Sequence, residues 1–520
     1  LADKAAYLAA FLGALVAVCE RRYWSQCYIE VVFPVHEQLY DAWRRVWNVQ
    51  LTSTEEYPHL RPAHARRGFI HKDIMVLPRQ TCGLYTHTIF MDKYPGGMSK
   101  LIANIQGGEL FQTIVHQPVN IFMTHMSNYA NDRLALYTFG SLINFVHKWT
   151  NLRLKFASSP LELGHIYFSL HPDEIEPLWV NPCLDKRHMA IWSPFKSCQS
   201  LPSFVIVGPQ KSGTTALHTF LNLHPNLLTS RPSEENFEEV QFFNDKNYFR
   251  GLDWYIDQFA SNHSDKSSKT FPIHSTNNIT DKSMKKVYFE KSATYFDQPK
   301  VPRRMHSLLP NAKIVIVLIS PIRRAYSWYQ HARAHKDPAA LKYSFYRIIT
   351  ADNEAPPRVR DLRDRCLTPG HYANHLNNWL SYYRSDQLII VDGNWFRDNP
   401  AQVLDSLQSS LNIPSILDYT NILTFDKRKG FFCYKTTLSQ HSFHADTNMI
   451  DTVNRHETND GKVKVNCLGP GKGRVYPNMD SDSEIFLRRY YLPHNKALLD
   501  LLSRLNIDAP LWLNEDLEFV

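Results

Sequence analysis

Gly208 to Gly213 reads Gly-Pro-Gln-Lys-Ser-Gly, a G-x4-G spacing with Lys211 inside it and Thr214-Thr215 directly after. A glycine-rich turn of this kind lets backbone N–H groups converge on a phosphate. A helix starting behind it adds the partial positive charge of its first turn. In a nucleoside-triphosphate loop the lysine follows the second glycine and reaches the β- and γ-phosphates, with Mg²⁺ on the next hydroxyl. Here Lys211 stands two residues before Gly213. That placement suits a single 5′-phosphosulfate, which has no γ-phosphate and needs a cation at the bridging oxygen that departs. A glycine-rich turn without a ligand has the same spacing and is the bland alternative.

Such a loop works only between a buried strand and a helix. Phe204-Val-Ile-Val207 is apolar without alternation, as a strand covered on both faces is. The segment ALHTFLNLH after the loop has the spacing of an amphipathic helix. The same order recurs at AKIVIVLIS (312–320) with PIRRAYSWYQHARAH, and at QLIIVDG (387–393) with NPAQVLDSLQSSLN. Strand, loop and helix repeated in this way predict an α/β fold with a parallel sheet and crossover helices. Ligands of such sheets sit beyond the carboxyl ends of the strands. Upstream, the runs GFIHKDIMVLP and VNIFMTH predict strands, and RLALYTFGSLINFVHKW predicts a helix. The polar, proline-bearing passage 171–202 reads as a connector, which makes 1–170 a first domain and 203–520 a second.

With 43% hydrophobic and 21% charged residues in 520, the chain has the composition of a globular protein with a sizeable core. Its net charge of +8 favours an anionic partner, and by itself does not choose among nucleic acid, acidic lipid and acidic polysaccharide. The eight cysteines include no C-x-x-C pair, so zinc-ribbon and thioredoxin-like readings have no support. Asn262 and Asn278 head N-x-Ser/Thr sequons in a polar stretch suited to a glycosylated surface loop. Ala5 to Cys19 is an apolar run shorter than the roughly 20 residues of a spanning helix. Arg21 and Arg22 behind it also carry the wrong orientation signal for a lumenal domain. The run reads first as a buried helix, with a signal or anchor segment as the alternative.

Several longer motifs carry a resemblance. VGPQKSGTTALHTFLNLHP, VYFEKSATYFD, PIRRAYSWYQHARAH and KGRVYPNMD resemble the sulfotransferase domain of the heparan sulfate N-deacetylase/N-sulfotransferases. The likeness runs from about residue 30 to near the C-terminus. It implies a P-loop-like parallel-sheet sulfotransferase domain preceded by the C-terminal part of a polysaccharide-deacetylase-like α/β domain. The implied reaction moves a sulfonyl group from 3′-phosphoadenosine 5′-phosphosulfate (PAPS) to the free amine of a heparan-type glucosamine, with no metal needed. Heparan sulfate or heparosan is then the partner, with no nucleic acid. The implied setting is the Golgi lumen, in a full-length single-pass type II membrane protein.

By the same resemblance, Lys211 stabilises the leaving phosphate, cradled with it by Ser212, Gly213, Thr214 and Thr215. Glu239, in ENFEEVQFF, is the expected base toward the attacking amine, with an exposed carboxylate at a helix start as the bland reading. His331 is expected to reach the transferring group and Ser327 the donor's 3′-phosphate; a surface helical histidine is the alternative for His331. Lys472, Gly473, Arg474, Val475 and Tyr476 are expected to close over the donor, since two cations and a phenol suit a phosphate. Lys291 is a further expected contact. Cys433 and Cys467 match a family disulfide, read as bracketing that closing loop and ordering Lys472. The tract between the two cysteines is longer and more polar than the family's usual one. Cys183 and Cys198 are a second candidate pair.

Residues 51–90 and VNIFMTHMSNYANDRL resemble the C-terminal half of the family's deacetylase domain. Such deacetylases use a divalent metal to activate water, and His125 matches the late histidine expected as general acid. A satisfied histidine after an apolar run is equally compatible with that position. The family's metal-binding aspartate and spaced histidines are expected upstream of Leu1, and His36, His59, His64, His71 and His87 have no tight ligand spacing. A complete deacetylase site is therefore not expected here. Other readings left open are a glycan O-sulfotransferase, a P-loop kinase and a non-catalytic basic heparan-binding module.

Overall fold

The computed structural model describes residues 37–53, 67–80, 82–85, 87–129, 133–181, 200–230, 239–259, 286–437, 463–469 and 476–518. The N-terminal apolar run, both sequons, Cys183 and Cys198 lie outside the described residues. The chain divides into two compact units. One runs to Val180 and includes Gly251–Asp253; the other comprises Asn181–Arg250 and Trp254–Val520. The break falls within the stretch 171–202, so the residues up to Val180 go with the first unit.

The first unit starts with helix α1 (Glu37–Trp47), followed by β1 (Leu51–Ser53), β2 (Phe69–His71) and β3 (Ile74–Leu77). The sheet order is β1-β3-β2, with β1 parallel and β2 antiparallel to β3. Lys72 and Asp73 turn the β2–β3 hairpin with φ of 51° and 62°, the positive pair that matches the twist of the two strands. Helices α2 (Gly97–Ile105), α3 (Glu109–His116) and α4 (Leu134–Trp149) pack Leu101, Ile105, Leu110, Leu142 and Val146 together. Helix α5 (Pro160–Leu170) begins at Ser159, whose side chain accepts from the Glu162 amide. The run VNIFMTH does not form the expected strand. Its pairing is a single parallel bridge between Phe122 and Gln80, which leaves the segment free to bend toward His125.

In the second unit, β4 (Phe204–Gly208), β5 (Leu227–Thr229), β6 (Val287–Lys291), β7 (Lys313–Leu318) and β8 (Leu388–Asp392) form an all-parallel sheet in the order β5-β6-β4-β7-β8. Strand β4 is central and all of its residues are buried, as its unbroken apolar run requires. One layer of core joins Phe204, Ile206, Leu217, Phe289, Val317 and Leu404. Helix α6 (Thr214–Leu221) follows the glycine-rich loop, and α7 (Pro321–Ala334) follows β7. After β8 comes a short helix α8 (Gly393–Asp398) before α9 (Pro400–Ser410). Asp392 caps the former through the amides of Asn394 and Trp395, and Pro400 opens the latter. A separate antiparallel sheet of β9 (Leu423–Asp426), β10 (Phe431–Thr437) and β11 (Val463–Asn466) has the order β11-β10-β9. Chain order reverses at β4, since β6 lies on one side and β7 on the other. The crevice beyond the carboxyl end of β4 is therefore where a ligand belongs.

Candidate active site

Strand β4 ends at Gly208, with φ of 118°. A Cβ there would fall 2.3 Å from the carbonyl oxygen of Ala293, so only glycine lets the loop leave the strand. Lys211 and Gly213 also take left-handed conformations, φ 72° and 102°, and Gly213 caps α6. Alternation of handedness in successive residues turns backbone amides to one side, the arrangement that binds anions. Ser212 is buried and its hydroxyl donates to the Pro209 carbonyl at 2.7 Å, tying the loop to itself. Thr214 is buried, while Lys211 and Thr215 are half-buried.

The neighbouring strand β6 ends at Lys291, whose register partner on β4 is Ile206. Lys291 is 2% exposed and its Nζ lies 3.0 Å from Oε1 of Glu239, which is 19% exposed. Glu239 is not at the start of a helix. It lies in a stretch without helix or strand, and Gln241 donates weakly to its other oxygen at 3.4 Å. The pair joins residues 52 positions apart.

Beside the loop a cavity of about 180 Å³ is lined by Gln210 together with Thr294, Asp297, Arg324, Trp328 and Arg365. Arg324 is fully buried and donates to the carbonyls of Arg365 and Cys366. Burial raises the pKa of Asp297, against the attraction of His375, Arg324 and Arg365. The Arg365 guanidinium lies 4.6 Å from the centre of the Trp328 ring. Arg324 was not expected as a site residue. Its signal was available in the Pro-Ile-Arg-Arg that starts α7 at the end of β7.

Ser327 and His331 lie one turn apart on α7, both half-buried. The His331 ring is 5.4 Å from Trp328 and 4.3 Å from His335, so it belongs to an aromatic group rather than an isolated surface position. Tyr326 on the same helix donates to the Pro477 carbonyl at 3.0 Å, and its ring lies 6.5 Å from that of Tyr476. The end of the C-terminal loop is thus seated on α7. Lys472, Gly473, Arg474 and Val475 lie outside the described residues.

Cys433 and Cys467 form a disulfide with their Cα atoms 4.4 Å apart. It closes the excursion 434–466 and ends before Gly469, so the loop with Lys472 follows the bridge instead of lying within it. The antiparallel β10–β11 register, with Tyr434 opposite Asn466, brings the two cysteines together across a separation of 34 residues. Among the described residues the one close group of metal-type ligands is Asp426 with these two cysteines, and their sulfurs are bonded to each other.

In the first unit His125 is half-buried just before a 3-10 turn, Met126–Asn128. Its amide donates to Asn128 Oδ1 at 2.7 Å, and Asn128 in turn donates to the carbonyls of Tyr85 and Thr88 at 2.8 Å each. Partial burial lowers the pKa of the imidazole, helped by Arg79 and His87. His71 lies deeper, 3% exposed between Tyr40 and Trp179.

Residues 201–464 match the family model described as sulfotransferase domain, and residues 18–111 that of heparan sulfate-N-deacetylase, deacetylase domain. The bifunctional heparan sulfate N-deacetylase/N-sulfotransferase of Drosophila melanogaster is 54% identical over 487 residues, 94% of this chain and 43% of that protein. Human N-deacetylase/N-sulfotransferase 3 is 52% identical over 489 residues, 94% of this chain and 51% of its own length. Human N-deacetylase/N-sulfotransferase 1 is 50% identical over 487 residues, with 94% and 50% covered. The chain spans about half the length of the curated relatives it matches.

Proposed function

The chain belongs to the sulfotransferase family, and we propose that it transfers a sulfonyl group from PAPS to the free amine of glucosamine in a heparan-type polysaccharide. The observation that carries the reading is the convergence at the crevice beyond β4. Lys211 stands inside a loop with the handedness of an anion cradle, and the Glu239–Lys291 pair lies at the end of the next strand. The names of the relatives, and their 50–54% identity, support the acceptor.

In this reading the amine nitrogen attacks sulfur, an N–S bond forms, and the S–O bond to the bridging oxygen breaks. Glu239 takes the proton that the nitrogen gives up. Lys211 and the loop amides face the charge that builds on the departing 3′,5′-bisphosphate, where fixed donors act most strongly. Ser327 and the buried Arg324 on α7 are offered to the donor's 3′-phosphate, and Trp328 with Gln210 to the sugar. The half-burial of Ser327 and the cavity at Arg324 support that assignment.

The disulfide supports an oxidising compartment, here proposed as the Golgi lumen. Anchoring of the parent protein as a type II membrane protein is part of the same proposal; among the described residues no helix is long and apolar enough to cross a membrane. We read the first unit as the C-terminal part of a deacetylase domain, in which His125 would be the acid. His125 lies beyond the residues that the deacetylase model matches.

The experiment is transfer of labelled sulfonyl from PAPS to N-deacetylated heparosan and to the fully N-acetylated polymer. The free-amine polymer is expected to be strongly preferred, and Lys211→Ala to lower turnover by about a hundredfold. Equal labelling of both polymers would favour O-sulfation, and full activity of Lys211→Ala would overturn the site. Acetate release from the acetylated polymer reads the first unit separately.

A further inference from the structure

The segment from Glu239 to Phe243 has neither helix nor strand, yet Val240, Phe242 and Phe243 are 3%, 0% and 0% exposed. Buried amides need partners. Those of Phe242 and Phe243 both donate to the Tyr295 hydroxyl, at 2.6 and 3.1 Å, and that of Gln241 donates to Ser292 Oγ at 2.9 Å. Gln241 takes φ of 49°, a conformation that a non-glycine residue keeps only where its surroundings impose it. Two hydroxyls therefore hold the backbone that carries Glu239.

Each hydroxyl has one proton to give, and both give it to the same group. Tyr295 donates to Glu290 Oε1 at 2.6 Å and Ser292 donates to Oε1 at 2.9 Å, while Tyr255 donates to Oε2 at 2.6 Å. Glu290 is 0% exposed and immediately precedes Lys291 on β6. Consecutive strand residues point to opposite sides. Strand β6 thus holds Glu239 twice, by its side chain through Lys291 and by its backbone through Glu290 and the two hydroxyls.

We infer that Glu290 is a positioning residue, which fixes the place of Glu239 by orienting Ser292 and Tyr295 as acceptors for the 241–243 amides. The inference rests on the reading of Glu239 as the base. A carboxylate is needed because all three hydroxyls arrive as donors, and it offers about four lone-pair sites on two oxygens. Methionine at 290 would offer these hydroxyls no oxygen. Ser292 and Tyr295 must then turn their protons to other acceptors, and amides of the segment lose the lone pairs that hold them. Burial raises the carboxyl's pKa, and the three hydroxyls oppose it. Two further side chains anchor the segment: Asn247 donates to the Val240 carbonyl and Arg304 to that of Phe243.

The test compares Glu290→Met, Tyr295→Phe, Tyr255→Phe and Glu239→Gln in the whole chain. Its readouts are kcat and KM for sulfonyl transfer, calorimetric affinity for adenosine 3′,5′-bisphosphate, and melting temperature. Glu290→Met and Tyr295→Phe are expected to lower kcat about ten- to fiftyfold, with KM and bisphosphate affinity within about threefold, as loss of orientation does. Tyr255→Phe removes a hydroxyl from Glu290 but none from the segment. It should cost comparable thermal stability while kcat stays within about threefold of the parent. If kcat falls in step with melting temperature across the set, or if Glu290→Met keeps full kcat while Glu239→Gln loses it, the positioning role is overturned. Full kcat in Glu239→Gln would instead remove the base assignment and the inference with it. Should Glu290→Met not fold, Ser292→Ala makes the same test at the Gln241 amide.

Discussion

The ammonium of Lys291 meets the carboxylate of Glu239 at 3.0 Å, and the lysine is the deeper partner, 2% exposed against 19%. The asymmetry sets what each substitution leaves behind. Removing Glu239 takes a carboxylate from a desolvated cation, whereas removing Lys291 leaves a carboxylate that water can reach. Breaking a buried pair from its deeper side costs the most.

Glu239→Gln is therefore expected to destabilise the second unit by roughly 2–4 kcal/mol, and Lys291→Met by roughly 1–2 kcal/mol. Urea unfolding of the two variants checks the order. The reverse order would mean that other neighbours of Lys291 satisfy its charge.

Gly208→Ala should be far worse than an ordinary surface change. Its Cβ would meet the Ala293 carbonyl oxygen at 2.3 Å, and φ of 118° lies where an alanine is strained. A loss of about 3 kcal/mol or more is expected, since backbone on both sides leaves nothing to yield. Soluble yield and urea midpoint are the measurements, and a near-parental midpoint would contradict the packing described.

Acid should weaken the first unit through His71. Burial, then the charge of Lys72, pushes its imidazole down to about 4, with Asp41 opposing. The folded form keeps the ring neutral while the unfolded chain protonates it near pH 6.5. The contribution is thus whole above about pH 6.5, shrinks as pH falls, and is gone by about pH 4, a change of roughly 3 kcal/mol. His71→Phe keeps a ring between Tyr40 and Trp179 and should flatten the stability profile between pH 6.5 and 4.5. Parallel profiles for parent and variant would exclude the residue as the source.

Loss of the disulfide should act locally. Cys433 and Cys467 join β10 to the residue after β11, across a separation of 34 residues. Chain entropy assigns such a closure about 4 kcal/mol at most. In a Cys433→Ala/Cys467→Ala variant, amide exchange should quicken across β9–β11 and stay slow in β4 and β7. Uniform acceleration throughout the second unit would show that the small sheet is not a separate stability element.

Much of this protein is legible along the chain because the signals are local. The glycine spacing around Lys211, the unbroken apolar run of β4 and β7, and the amphipathic α6 and α7 each lie within about fifteen residues, the range of periodicity and turn chemistry. The VNIFMTH run misleads for the same reason, since an apolar segment does not carry the identity of the strand it would pair with. Glu239, His331, Lys291 and the disulfide were reached through motif likeness. Composition alone would have left them among many carboxylates, histidines and cysteines.

The sequence by itself determined that Lys211 sits in a phosphate-type loop between strand and helix. Only the tertiary structure decided what that loop faces. The order β5-β6-β4-β7-β8 sets β6 beside β4, so that Lys291, 80 residues after Lys211, ends at the same crevice and meets a glutamate from an irregular segment. The buried Glu290 with its three hydroxyls, and Arg324 against the Cys366 carbonyl, are likewise invisible along the chain. Their partners are chosen by strand order and by the need of each buried polar group for a hydrogen bond, and both are settled only once the chain has folded.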